Sequence, residues 1–162
     1  MIFVTVGTHE QQFNRLVEYM DKWSFHNNED VVIQTGFSSY IPINCKWSKF
    51  FSYSSMLAMV KNARIVITHG GPSSFILPLQ VGKIPIVVPR DYKFNEHVNN
   101  HHIDFCDKVA TLKKCIILVR DFDSLGNVIH DYNELIIRFK GKFISNNEEF
   151  CNKFKKEIEL LI

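Results

Sequence analysis

Four cysteines, Cys45, Cys106, Cys115 and Cys151, are scattered over 162 residues with no Cys-x-x-Cys pair among them. They read as the reduced thiols of a cytosolic protein. No apolar run approaches the ~20 residues that a membrane-spanning helix needs. The amino terminus, Met1 to Val6, enters a strand-like run directly, without the basic region or cleavage site of a signal peptide. Charge of either sign is also short: 19 Lys and Arg against 17 Asp and Glu leave a net charge of +2. No dense Lys/Arg stripe with interleaved aromatics is present, so nucleic acid is not an expected partner. The first glycine loop reads Gly7-Thr8-His9-Glu10-Gln11-Gln12. It lacks the Gly-x-Gly-x-x-Gly pattern, which argues against a dehydrogenase.

What remains is an ordinary globular composition, 46% hydrophobic and 22% charged, sized for a single domain over residues 1–162. Fourteen phenylalanines are many for that size. The core is their default home, with an interface as the alternative.

The chain is organised around Ile65 to Arg90. The β-branched run Ile65 to Thr68 ends at Gly70-Gly71, a helix start follows, and a second apolar run, Ile84 to Val88, is closed by Pro89. Continuous Val/Ile runs fit strands buried on both faces, as in the middle of a parallel sheet. Gly70 and Gly71 let backbone N–H groups approach a bulky anion. Pro72 suits a first helical turn, and Ser73 and Ser74 can cap it or donate. A helix start of this kind favours phosphate or diphosphate, although two glycines alone also fit a plain turn.

The opening repeats the unit: a strand over Ile2 to Val6, the loop Gly7-Thr8-His9, then a helix with Phe13, Leu16, Val17 and Met20 on one face. Val31 to Gln34 is a short strand, Phe37 to Asn44 is irregular, and Cys45 to Phe51 is extended. Ser52 or Ser54 caps a helix whose face is Met56, Leu57, Met59 and Val60. After Arg90 a polar segment carries Glu96, His97, Asn100, His101 and His102. Chain order puts it beside the Gly70-Gly71 loop. His97 and His101, four apart, would share a helix face, a spacing that also suits a metal. With no His-Glu-x-x-His and no obvious third ligand, hydrogen bonding to substrate ranks first. Cys115 to Val119 is a further strand, and Asp121 or Asp123 caps a helix lined by Leu125, Val128, Ile129, Tyr132, Leu135, Ile136 and Phe139. Gly141 stops it, and Ser145 with Glu148 has capping-box spacing for a last helix with a stripe of Phe150, Phe154, Ile158 and Leu161. Core packing is the default for that stripe and docking to another protein the alternative. Alternating strands and helices predict a doubly wound α/β domain.

Placed together, these pieces resemble the family of split GT-B glycosyltransferase subunits and the carboxyl-terminal half of family 28 glycosyltransferases. Three motifs carry the resemblance: Val4 to His9 with Phe13 and Arg15-Leu16, then Thr68 to Ser74, then Gly82 to Arg90 continuing into Glu96-His97 and Asn100-His101. The closest likeness is to catalytic subunits of capsular and exopolysaccharide synthesis. In those, the acceptor-binding half is a separate membrane-associated protein. The resemblance thus implies one Rossmann-like half of a GT-B enzyme, cytoplasmic and peripheral at the inner face of the cell membrane through its partner.

Carried onto this sequence, the resemblance implies that His69, Gly70, Gly71, Ser73 and Ser74 hold the diphosphate and ribose of a UDP-sugar donor. Gly7, Thr8 and His9 would face the same phosphates, while Glu96, His97, Asn100 and His101 would take the sugar hydroxyls. No metal or other cofactor is implied. Many members place a glutamate for the ribose eight residues after the motif histidine; here Leu77 stands there. Transfer with inversion needs one general base, supplied by the partner or by this chain, His9 first and Glu96 second. The acceptor would be a lipid-diphosphate-linked sugar, with β-1,4-galactose as the favoured product and UDP-glucuronic acid or UDP-N-acetylglucosamine as alternative donors. A nucleotide-sugar epimerase or a non-catalytic nucleotide-sugar-binding subunit are the competing readings. The short chain speaks against the first.

Overall fold

The computed structural model describes residues 1–139 and 147–159. In chain order the elements are β1 (Ile2–Thr5), α1 (Asn14–His26), β2 (Val31–Gln34), β3 (Lys46–Ser48), α2 (Tyr53–Asn62) and β4 (Ile65–Thr68). Then come α3 (Pro72–Gln80), β5 (Ile86–Val87), a 3-10 turn at Tyr92–Phe94, α4 (His101–Leu112), β6 (Ile117–Leu118), α5 (Phe122–His130), α6 (Tyr132–Ile137) and α7 (Asn147–Glu159). The strands form one sheet in the order β3-β2-β1-β4-β5-β6, and every pair is parallel. This is the doubly wound α/β architecture expected from the sequence.

Alternation along the buried strands decides which layer each side chain joins. Ile2 and Val4 pack with Leu16, Met20, Leu125 and Ile129, the layer of α1 and α5. Phe3 and Val66 point the other way, onto Val60 and Ala63 of the α2 layer, and Val87 packs with Phe75, Leu79 and Cys106 between α3 and α4. Every residue of β1 and β4 is buried, which is why both read as unbroken apolar runs.

The structure shifts several expected boundaries. β5 keeps only Ile86–Val87 of the expected Ile84 to Val88. Pro85 and Pro89 bracket it and have no N–H for the ladder. Val88 N–H still donates to Thr68 at 2.8 Å. β6 is likewise reduced to Ile117–Leu118. The single helix expected up to Phe139 breaks at Asp131, whose ψ of 6° leaves the helical region, and α6 restarts so that Tyr132 is buried with its hydroxyl donating to Ile84 O at 2.6 Å. Of the expected caps, Ser52 accepts from Ser55 N–H and Asp121 from Asp123 N–H.

His97 does not share a helix face with His101. Asn95 is left-handed at φ 56°, the chain turns through residues 95–100, and α4 starts only at His101, whose N–H donates to Asn99 Oδ1 at 3.1 Å. On α7, Phe154 and Ile158 are 58% and 41% exposed, so core packing does not hold for these two. Gly141, the Ser145–Glu148 capping box, the Phe150 side chain and Leu161 lie outside the described residues. Among the described residues no helix is long and apolar enough to cross a membrane.

Candidate active site

β1 and β4 are neighbours in the middle of the sheet, with Thr5 level with Thr68. The chain leaves β1 toward α1 on one face and leaves β4 toward α3 on the other, so the two loops diverge and open a crevice at the carboxyl ends of the strands. A cavity of about 730 Å³ fills it. Gly7, Thr8 and His9 line it from one side, and His69, Gly71, Ser73 and Ser74 from the other. Residues 60 apart in sequence thus meet because adjacent parallel strands end together.

The two loops touch through His69. Its ring is buried and lies against both Gly7 and Gly71: a methyl built on Gly71 would sit 2.6 Å from Nε2, and one on Gly7 would collide with the same ring. Gly7 also needs a positive φ of 76°. Burial, with a smaller effect of the Arg90 charge, drives the His69 imidazole down to about 3, so it is neutral near pH 7. Its Nδ1 has no hydrogen-bond partner in the structure. Gly70, by contrast, faces away from the cavity, its Cα held at φ 90° against Pro89 and Cys106.

At the start of α3 Gly71 is the cap residue and Pro72 is in the first turn, with no side-chain cap bond. The expected serine cap is absent because Ser74 turns inward: its hydroxyl donates to Gly71 O at 2.6 Å and its N–H to the same oxygen at 2.9 Å. Both serines still border the cavity, where the helix start supplies partial positive charge.

Glu96, His97, Asn100 and His101 are not in the cavity wall. Glu96 is wholly buried; both its oxygens accept from Arg15 at 2.7 Å and Oε2 also accepts Asp91 N–H at 3.0 Å. As held, it braces the loop and is no free base. Asn100 Oδ1 accepts Tyr92 N–H at 3.0 Å. His9 is exposed, and its Nδ1 accepts Gln11 N–H at 3.2 Å, which leaves the proton on Nε2 of the neutral ring. His97 lies beside it, ring centroids 5.0 Å apart, with His102 behind at 4.3 Å.

Sequence reasoning missed Arg90 as a structural centre. Wholly buried, it donates to the carbonyls of Val6, Gln11, Gln12 and Glu96 at 2.7–3.0 Å, stapling the first loop to the polar segment. Burial lowers it to about 10, with the Glu96 charge opposing, and it stays protonated. An arginine closing an apolar strand was the available signal. Also missed were Glu10, Gln34 and His102 in the cavity wall. Leu77 stands there with Met56 and Val60, so the side expected to carry a ribose carboxylate is apolar.

A Rossmann-like sheet with two glycine loops and a helix start facing one crevice is the GT-B half-domain expected from the sequence. The chain belongs to the glycosyltransferase family 28 C-terminal domain family, matched over residues 1–156. Among solved structures it is similar to the glycosyltransferase of kitacinnamycin, at 17% identity and a TM-score of 0.61, covering 87% of this chain and 37% of that one. It is also similar to the glycosyltransferase SnogD from Streptomyces nogalater, at 17% identity and a TM-score of 0.55, covering 87% and 38%. The chain therefore spans less than two fifths of the solved structures it matches. No curated protein sequence matches it.

Proposed function

We propose that this chain is the donor-binding half of an inverting glycosyltransferase. It moves a sugar, galactose in β-1,4 linkage as the first choice, from a UDP-sugar to a lipid-diphosphate-linked sugar. The observation that carries the reading is the convergence of Gly7, Thr8, Gly71 and Ser73 on one cavity at the start of α3. There the UDP diphosphate meets fixed N–H dipoles. An acceptor hydroxyl attacks the anomeric carbon, the C–O bond to the diphosphate breaks, and the negative charge gathering on UDP is stabilised by donors already in place. The apolar wall of Met56, Val60 and Leu77 offers the uracil ring a face to pack on.

The general base comes from elsewhere in this reading. Glu96 is spent on Arg15, and His9 presents an N–H. A membrane-anchored acceptor-binding subunit supplies the base and the lipid-linked acceptor, which places this chain at the inner membrane face. Exposed Phe37 and Phe50, in ring contact at 5.5 Å, support such a partner: Phe37 follows β2 at the cavity end of the sheet, where Gly36 abuts Gly7 O. Phe154 and Ile158 offer a second apolar surface.

One competing reading, a subunit that binds nucleotide sugar without turnover, is favoured by Leu77 standing where the ribose carboxylate is expected. The test is UDP release from a panel of UDP-sugars by this chain co-expressed with its genomic neighbour, with lipid-linked glucose as acceptor and EDTA present. Release with one sugar that depends on both acceptor and partner is expected. UDP binding without release from any donor would leave the binding-subunit reading standing.

A further inference from the structure

Five of the seven histidines gather at one end of the sheet: His9, His69, His97, His101 and His102. We propose that His97, His101 and His102 form a site for a first-row divalent transition-metal ion, zinc being the ion to test, at the rim of the donor cavity. Zinc uptake does not depend on the transferase reading, and of the three imidazoles only His102 also borders the donor cavity.

The geometry is close to what such an ion needs. One ring nitrogen from each of the three lies within 4.8 Å of the other two. Zinc–imidazole bonds of about 2.0–2.1 Å put tetrahedral ligand nitrogens roughly 3.4 Å apart. Side-chain rotation on the turn and first helical residues spans that difference.

The polar accounting points to a missing partner. His97 and His102 are 5% and 7% exposed, and the Nδ1 of each is buried without a hydrogen bond. A buried polar atom in that state costs free energy that a ligand would relieve. His101 is prepared differently: its Nδ1 contacts Asn99 Oδ1, which can only accept, so the proton sits on Nδ1 and the lone pair on Nε2. Asn99 thus fixes the tautomer and orientation of the His101 ring from behind.

Three imidazoles without a thiolate or carboxylate suit zinc, nickel or copper over magnesium or calcium. The charge of Arg90 opposes any cation here, and Glu96 beside it offsets that charge. His9 is not a fourth ligand as held, since its Nδ1 is taken by Gln11 N–H. The fourth position is left open, the arrangement of a zinc site that exchanges ligands.

The experiment titrates zinc into the untagged full chain, stripped with EDTA and dialysed, against a chromophoric competing chelator. Cobalt spectra report the coordination geometry. One ion per chain is expected, with a tetrahedral cobalt signal. Affinity should fall at least about tenfold in His101→Gln, an exposed position whose change leaves the fold intact, and about 10–100-fold in Asn99→Ala. The double variant His26→Gln/His130→Gln, outside the cluster, should bind as the parent does. Zinc binding unchanged in both His101→Gln and His102→Gln, or lost in the His26/His130 variant, would overturn the proposal, as would no uptake by the parent chain.

Discussion

Gly71 has no side chain because the ring of His69 occupies the place: a methyl group there would lie 2.6 Å from Nε2. The first prediction follows from that contact. His69 is buried and cannot swing into solvent, so Gly71→Ala must push the loop outward, a strain of about 1–3 kcal/mol. Because the same loop opens α3, UDP affinity should fall at least about tenfold while the far-ultraviolet circular dichroism stays native. Calorimetric titration with UDP checks it; unchanged affinity would remove the α3 start from the donor site.

Much of this was legible in the sequence. The β1 and β4 runs and their glycine loops could be read because parallel strands buried on both faces must be continuously apolar, and adjacent strands end at one edge. What could not be read was which polar side chain pairs with which. Arg15 and Glu96 are 81 residues apart, and the Arg90 staple to Val6 spans 84. No periodicity encodes such pairs; only the packed fold brings them together. The same blindness left the pairing of Glu96 with Arg15 unforeseen and passed over His102 in the cavity wall. The helix expected to carry His97 and His101 failed because Asn95 and Asn99 favour a local turn over helix.

Arg15 and Glu96 test the brace against the base. Arg15→Ala leaves a wholly buried carboxylate without its cation, so stability should fall by about 3–5 kcal/mol, read by urea denaturation. Glu96→Gln keeps the shape but loses the paired charges; the melting temperature should drop and UDP affinity should weaken with it. Loss of turnover with an unchanged melting temperature would instead return Glu96 to catalysis.

Acid should unfold this protein early. His69 is depressed to about 3 and His102 to about 4 from an ordinary 6.5, both mainly by burial. Between those values the unfolded chain binds more protons than the folded one, so stability rises with pH across that window. It is fully present above about 6.5 and is lost as pH falls toward 4. Melting temperatures should be level from pH 7 to 8 and decline steadily below about 6.5. His102→Gln should flatten the decline; an identical slope in that variant would show that other groups set it.

His9 separates two kinds of contribution. With Nδ1 accepting Gln11 N–H, Nε2–H is the ring's remaining polar group, and His9 lines the cavity. Donation to a bound group predicts that His9→Ala weakens UDP-sugar binding and lowers kcat/KM together. The magnitude should be that of one hydrogen bond to a charged group, about 1.5–3 kcal/mol. A general base would act differently, costing about 10²–10⁴-fold in kcat with binding intact. Steady-state rates beside binding constants for the same variant decide between them. A pure kcat loss would mean that the ring turns in the complex, releases Gln11, and takes the acceptor's proton.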